Sequence, residues 1–511
     1  MCGICEQYGI NIHNLGEGDG GGGGGPLAAP SESFTIAEAA EHLNRDGSSW
    51  NNLALGTGTN VTYSFRNTNV GATSGEANFT RFTATQIQVA EDSLQAWADV
   101  SNITFTRVSG SGPGGQYSDN STIRFGNFDI PGTAGAAHAY LPFGNRGANS
   151  QQGDVWINIA YNYEENPVPY EYGVQTMTHE IGHAIGFSHP GDYNAGQGNP
   201  TYDDADFIED TRMYTVMSYW DAEETGADHG GQYASGLLMI DIAAAQRLYG
   251  VNVNYNTGDD TFGFNNDTGR YYNGASADQP PIFCAWDAGG VDTFDFSGYA
   301  VKQTIDLRNG AFSDVGGYES NVSIAVQVKV DGVVINYIEN AIGGSFRDTI
   351  IGNNANNSLE GRAGDDLIGG NKGDDEVLGG DGNDTIGGGR GNDTLNGGLG
   401  ADSMAGNKHN DLFLFLQLAD SEAGAEDRIT NGLDRRDTID LTAIDADTTQ
   451  GGDQAFHLGG TTFDNEAGEF IRFYHAGSNT TFFQGDVDGD GDADFSLSVT
   501  GNYATYLSFL L

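Results

Sequence analysis

GGDGNDTIGGGRGNDTLN, residues 379–396, is one nine-residue phrase written twice, and its reading decides the fold of half the chain. Moving outward in both directions the phrase persists, with repeats starting at residues 343, 352, 361, 370, 379, 388, 397 and 406. Position six is aspartate in seven of the eight, at Asp348, Asp366, Asp375, Asp384, Asp393, Asp402 and Asp411. Position eight is always apolar, from Ile350 through Met404 to Phe413. A polar, glycine-rich linker has no reason to keep an apolar residue in phase. Six turn residues followed by a three-residue strand with one inward side chain can stack as a parallel β-roll. Stacked turns bring carboxylates and glycine-exposed carbonyls together. Unneutralised, the carboxylates would repel, so Ca²⁺, which takes 6–8 oxygen ligands, is expected to fold this region. The expected ligands are these aspartates with the backbone at Gly364, Gly373, Gly380, Gly382, Gly389, Gly391, Gly398 and Gly400.

The composition agrees. The chain has 511 residues, 71 acidic against 21 basic, for a formal charge of −50, and 78 glycines. Such a charge repels nucleic acid and anionic membrane surfaces, so neither is an expected partner. No stretch approaches the ~20 apolar residues of a membrane span, so no membrane insertion is expected. The opening MCGICEQYGINIH lacks the basic start and apolar run of a cleaved secretory signal, the first basic residue being Arg45. Three cysteines, Cys2, Cys5 and Cys284, cannot make a disulfide framework.

The organisation expected is a flexible leader over residues 1–34, a catalytic-type domain over 35–250 and a β domain over 251–511. The leader contains six consecutive glycines, Gly20 to Gly25. Beyond it, IAEAAEHLN reads as a helix and TNVTYSFR as a strand. In TQIQVAEDSLQAWADV, residues 85–100, Ile87, Ala90, Leu94 and Trp97 fall at helical spacing, predicting an amphipathic helix packed on a sheet. ITFTRV, STIRFGNF and GDVWINI follow as strands, which makes this region α+β. The helix AAAQRLYG closes it, and afterwards short β-like runs alternate with Gly/Asp/Asn turns.

THEIGHAIGFSHP, residues 178–190, carries three of the ten histidines. His179 and His183 are four apart, so a helix projects both from one face at the spacing one zinc ion needs. Glu180 points across such a site and can move a proton between water and a leaving amine. Gly186 stands where a left-handed residue ends the helix and turns the chain so that His189 becomes a third ligand. Three protein ligands leave a position open, which is the arrangement of a catalytic rather than a structural zinc. GDVDGDGDADF, residues 485–495, opens like an EF-hand, but Leu497 stands where the bidentate Glu belongs, and the segment reads as an acidic turn between two strands.

The extended H-E-x-x-H-x-x-G-x-x-H, the following HPGDYNAGQGNPTYDDADFIEDTRMYTVMSYW and the later DIAAAQRLYG resemble the metzincin zinc endopeptidases, in particular the serralysins. The resemblance implies a Met-turn at Met217, and a role for Tyr219 both as a further zinc ligand and as a stabiliser of the oxyanion. It implies a C-terminal calcium-binding β-roll, and it continues through TGDDTFGFN, WDAGGVDTFDFSG and ENAIGGS. Asp260, Asp287, Gly289, Asp292, Glu339 and Gly344 therefore join the expected calcium ligands. It also implies a secreted, extracellular protein that leaves through a type I exporter by an uncleaved C-terminal signal. Three departures stand out. Phe346 replaces a glycine in the first repeat, the second repeat lacks its Asp, and the terminal ATYLSFLL lacks an acidic residue before its last apolar ones. In some metzincins a leader cysteine caps the zinc, but the residues around Cys2 and Cys5 do not match such a switch.

The expected fold is thus an α+β metzincin catalytic domain followed by an all-β domain of parallel β-roll and β-sandwich type. The expected function is a zinc-dependent, calcium-folded endopeptidase acting on proteins as a monomer. The alternative is a calcium-dependent surface or adhesion protein with a vestigial zinc site, against which the intact Glu180 and three histidines speak.

Overall fold

The structure, a computed structural model, describes residue 30 and residues 32–511 apart from 74, 111–114, 133–134, 144–149, 195–199, 432, 434–435 and 504–507. Cys2, Cys5, most of the leader and the first half of ATYLSFLL lie outside these residues.

The first helix, α1 (Ile36–His42), opens on a capping box in which Glu38 N–H donates to Thr35 Oγ1 and Thr35 N–H to Glu38 Oε2. A second box, Thr83 with Gln86, starts α2 (Ala84–Val100), one residue earlier than its periodicity suggests. Five strands form one sheet: β1 (Thr59–Phe65), β2 (Ile103–Arg107), β3 (Ile123–Phe128), β4 (Ala137–Ala139) and β5 (Val155–Asn158). Their order is β2-β1-β3-β5-β4, parallel throughout except that β4 runs antiparallel at the edge. Parallel strands are buried on both faces, and β3 and β5 are buried along their whole length.

A short α3 (Asn162–Glu165) leads to α4 (Tyr172–Ile185), which carries the histidine motif. The apolar face of α2 packs on α4 as well as on the sheet. Trp97 stacks on Phe187 at 5.3 Å between ring centres, and its Nε1–H donates to Thr178 O. Last in this half is α5 (Met239–Tyr249).

The C-terminal half contains a nine-stranded and a ten-stranded sheet among the described residues. Successive repeats go to alternate sheets, so parallel neighbours are 18 residues apart, as Ile368 opposite Ile386 and Leu359 opposite Val377 show. The eighth-position side chains, Leu359, Ile368, Val377, Ile386, Leu395, Met404 and Phe413, form a fully buried column between the sheets. The strands are longer than the three residues expected: Leu367–Lys372 is six, because the first three positions of the next repeat stay in register, Asn371 opposite Gly389 and Lys372 opposite Arg390. Residues 487–494 are, as expected, a turn between the antiparallel strands Thr480–Asp486 and Phe495–Thr500. There Asp486 accepts the N–H groups of Gly489 and Gly491. No helix among the described residues is long and apolar enough to cross a membrane.

Candidate active site

The last turn of α4 is built to stop. Gly186 has φ +115°, its N–H donates to His183 O and the N–H of Phe187 to Gly182 O, the paired bonds of a Schellman ending. A side chain there would stand 2.3 Å from Ser48 O, so glycine is required sterically as well as conformationally. Neighbouring elements take up the remaining carbonyls: Trp50 Nε1–H donates to Ala184 O, Tyr249 O–H to Ile185 O and Asn44 Nδ2–H to Gly186 O. The chain leaving this turn brings His189 back over the helix, where Arg45 Nη1–H donates to its carbonyl.

The three histidines then converge. His189 Nε2 lies 3.1 Å from His179 Nε2 and 3.0 Å from His183 Nε2. Each Nδ1 faces a main-chain carbonyl: Val216 O at 2.8 Å for His179, Phe187 O at 2.6 Å for His183 and Tyr193 O at 2.8 Å for His189. A carbonyl only accepts, so each Nδ1 carries the proton and each Nε2 presents a lone pair. Burial pushes His179 down to about 3 and His183 to about 4, and drives His189 well below its ordinary value, with the neighbouring imidazoles adding to the shift of His179 and His189. Three neutral nitrogen lone pairs at hydrogen-bond distance with no proton among them fit one divalent cation with nitrogen preference, and zinc suits them.

Glu180 is buried beside them, its Oε2 has no hydrogen-bond partner among the described residues, and burial raises its pKa to about 8. Tyr219 packs its ring 4.5 Å from that of His189 and 6.0 Å from that of His179. Met217 is fully buried under the helix, its sulfur so close to Gly182 that a methyl there would stand 2.5 Å from Sδ and 3.1 Å from Trp97. The motif's second variable position is therefore glycine because the Met217 side chain touches the helix backbone between the two histidines. Asp241, on α5, is the other support that sequence reading missed. Its carboxylate accepts Thr215 Oγ1–H at 2.5 Å, Val216 N–H at 2.9 Å and Leu238 N–H at 2.9 Å, and Val216 is the residue whose carbonyl holds His179. The quoted DIAAAQRLYG contained this Asp, but nothing local distinguished it from a helix N-terminal acid.

Two cavities flank the histidines, of about 310 Å³ and 300 Å³. Both are bordered by Gly135, Ala137, Glu180 and Tyr219, so the free edge of β4 runs past the candidate catalytic groups from one cavity to the other.

In the roll the expected aspartates form two ladders. The N–H of Asp348, Asp366 and Asp384 is accepted by Oδ1 of the aspartate 18 residues on, and so is that of Asp375 and Asp393 in the other sheet, at 2.7–3.0 Å. Oδ2 of Asp366, Asp375, Asp384, Asp393 and Asp402 has no hydrogen-bond partner among the described residues. A methyl at Gly379 would stand 2.3 Å from Asp384 Oδ2 and 2.3 Å from Gly397 O, and one at Gly370 would stand 2.2 Å from Asp375 Oδ2 and 2.6 Å from Gly388 O. Carboxylate and carbonyl oxygens thus point at one place with no donor between them, which fits an oxygen-liganded cation such as calcium. These first-position glycines were not among the expected ligand residues.

Gly364, Gly373, Gly380, Gly382, Gly389, Gly391, Gly398 and Gly400 all have φ between +94° and +151°, and Gly289 has +148°. Asp348 differs from its successors. Its Oδ1 accepts Gln303 N–H and its Oδ2 accepts Gly344 N–H, so both oxygens are engaged in the turn that holds Phe346. Asp260, Asp287 and Asp292 gather within 4.8 Å, and burial together with mutual repulsion raises the last two. Glu339 joins them by accepting Asp292 N–H at 2.9 Å. Asp411 continues one ladder, donating its N–H to Asp437 Oδ1, and Asp402 the other, to Asp427 Oδ1. Asp427 and Asp437 were not anticipated from the repeat.

A parallel sheet with one antiparallel edge over a three-histidine helix, joined to a parallel β-roll, is the architecture of the metzincin-type metallopeptidases. A profile described as "Matrixin" matches residues 57–204, and one described as "Peptidase M10 serralysin C terminal" matches residues 251–511. "Metalloprotease AprA" of Pseudomonas entomophila (strain L48) is 41% identical over 481 residues, 92% of this chain and 89% of that protein. "Serralysin C" of Dickeya chrysanthemi is 46% identical over 321 residues, 62% of this chain, and "Serralysin" of Proteus mirabilis is 46% identical over 325 residues. The match spans 64% of the length of Serralysin C. The chain belongs to the serralysin family.

Proposed function

We propose that the protein is a secreted zinc-dependent endopeptidase whose C-terminal half is folded by calcium. The observation that carries this reading is the convergence of three Nε2 lone pairs beside the unpartnered Oε2 of Glu180. His179, His183 and His189 would hold zinc, which would supply a Lewis acid for the scissile carbonyl and the attacking water. Around it, an extended protein substrate adds to the free edge of β4 by main-chain hydrogen bonds. Glu180 accepts the proton of the attacking water at its carboxylate and delivers it to the leaving amine. The Tyr219 hydroxyl, which would otherwise be a further ligand to the metal, would donate a hydrogen bond to the oxyanion as it forms. Met217 and Asp241 position the histidines from below.

Residues 35–250 form the catalytic unit in this reading and residues 251–511 the calcium-bound unit, with the aspartate ladders and the Asp260, Asp287, Asp292 and Glu339 group as ligands. Family membership supports an extracellular site of action and a type I exporter as partner.

The Glu180→Ala variant tests the mechanism. It should keep zinc and fold and lose casein hydrolysis, and near wild-type turnover would overturn the assignment. Casein cleavage abolished by a zinc chelator supports the peptidase, whereas no casein cleavage by the zinc-loaded chain would favour instead the calcium-dependent adhesion protein with a vestigial metal site.

A further inference from the structure

We propose that the cavity shared by Arg212 and Gln175 selects, at the substrate residue following the scissile bond, a side chain ending in a hydrogen-bond-accepting oxygen, that of Gln, Glu, Asn or Asp. The inference rests on the peptidase reading above and names its substrate class.

The cavity of about 310 Å³ is lined by His179 and Glu180 together with Gln175 and Arg212. Its two donors are unusual for a pocket so close to a metal site. Gln175 is 3% exposed, and its Oε1 has no hydrogen-bond partner among the described residues. The carboxamide's unpartnered oxygen accepts, and its nitrogen carries the N–H groups that a substrate oxygen can engage. The Arg212 guanidinium is clamped between the rings of Tyr172 and Tyr233, 5.5 Å and 5.3 Å from their centres. Its Nη1 donates to Asp221 Oδ1 at 2.5 Å, while its Nε has no partner. Asp221 itself is largely exposed, so water screens that ion pair.

The geometry of the edge strand gives the position. A peptide added antiparallel to β4 passes residue 139 before residue 135. Its N-terminal side therefore lies over the cavity lined by His138 and Ala139, and its C-terminal side over the one lined by Ala136 and Arg212. An aliphatic side chain in the latter would cover the Arg212 guanidinium and the Gln175 carboxamide without giving either a hydrogen bond. A pocket built from donors discriminates against such analogues far more strongly than an apolar pocket discriminates by size.

The test uses the full chain loaded with zinc and calcium, and peptides identical except for Gln, Glu or Leu after the scissile bond. The Gln and Glu peptides should exceed the Leu peptide in kcat/KM by about tenfold or more. Gln175→Leu and Arg212→Gln should each lower that ratio by about tenfold, a change that a general loss of fold does not produce because both peptides meet the same enzyme. A Leu peptide cleaved as fast as the others by the wild type, or a ratio that neither variant moves, overturns the inference. Affinities of the same peptides for Glu180→Gln, read by fluorescence anisotropy, separate the two readings. Selective binding without hydrolysis by the wild type overturns the peptidase reading alone, equal affinities overturn the selectivity alone, and no binding of any peptide overturns both.

Discussion

Removing calcium from the roll should make its folding depend on protons. Burial, with repulsion from neighbouring aspartates, raises Asp366, Asp393 and Asp402 to about 6, Asp375 to about 7, Asp384 to about 8 and Asp427 to about 9. All six lie above the value of about 3.8 expected once unfolded. Without a cation, the stability they contribute is therefore fully present below pH 3.8 and is lost as the pH rises through roughly 6 to 9. Allowing for solvent screening by taking only a tenfold penalty apiece, about 1.4 kcal/mol each, the six amount to about 8 kcal/mol. That equals the whole stability of an ordinary domain. The assay strips calcium on a chelating resin, restores zinc, and follows the radius of gyration and the β-sheet circular dichroism at pH 5, 7 and 9. At pH 9 the calcium-free chain should expand and lose β signal, at pH 5 it should keep much of both, and calcium should restore compactness at pH 9. A calcium-free chain equally folded at pH 5 and pH 9, or better folded at pH 9, would mean that aspartate repulsion does not control the folding of the roll.

Three further outcomes follow from single contacts. Alanine ordinarily beats glycine inside a helix by about 1 kcal/mol, yet Gly182→Ala should lower Tm, because overpacking against Met217 costs about 1–3 kcal/mol; a raised Tm would contradict the packing described. Asp241→Asn leaves one oxygen for three donors, turning an NH2 group toward at least one of them, and should weaken zinc binding in a chelator competition as well as lower Tm, whereas unchanged zinc affinity would remove Asp241 from the support of His179. Glu164 is buried on α3, and burial, reinforced by Glu180, drives its carboxyl well above 4.5. Its share of stability is intact below pH 4.5 and falls as the pH rises, by about 1.4 kcal/mol per pH unit until the folded value is reached. Glu164→Gln should match the wild type near pH 4 and melt progressively higher by pH 7, and a pH-independent difference in Tm would count against it.

What the sequence made legible was whatever is local. The nine-residue period survives in the structure because each repeat is a self-contained turn and strand, and the H-E-x-x-H spacing survives because a helix alone sets it. Gly186 could be read because ending a helix is also a local act. Asp427 and Asp437 escaped because they enter their ladders 25 and 26 residues after their partners instead of 18, the intervening chain having been inserted outside the period. Gly182 and Asp241 escaped for another reason. One is small because of a methionine 35 positions away, and the other is buried to hold a turn on a different segment, neither of which leaves a trace in neighbouring residues. The first-position glycines of the repeat were visible, but their purpose, keeping a methyl out of the space shared by a carboxylate and a carbonyl, belongs to the stacked turns.

Every hydrogen bond of the aspartate ladders points the same way along the chain. The amide of an earlier turn is received by the carboxylate of a later one, and one ladder is closed at its far end by Ser421, whose hydroxyl accepts Asp427 N–H at 2.9 Å. The fifth position answers in the opposite sense, Asn383 N–H donating to Asp365 Oδ1 and Asn392 N–H to Asp374 Oδ1, each 18 residues back and exposed to solvent. The roll is consequently stitched in both directions, like cloth held by a lockstitch, with a buried thread and an outer one. Erosion from the two ends is then unequal: trimming from the C-terminal side strips a buried sixth-position amide of its acceptor, whereas trimming from the N-terminal side strips only an exposed fifth-position amide that water can satisfy.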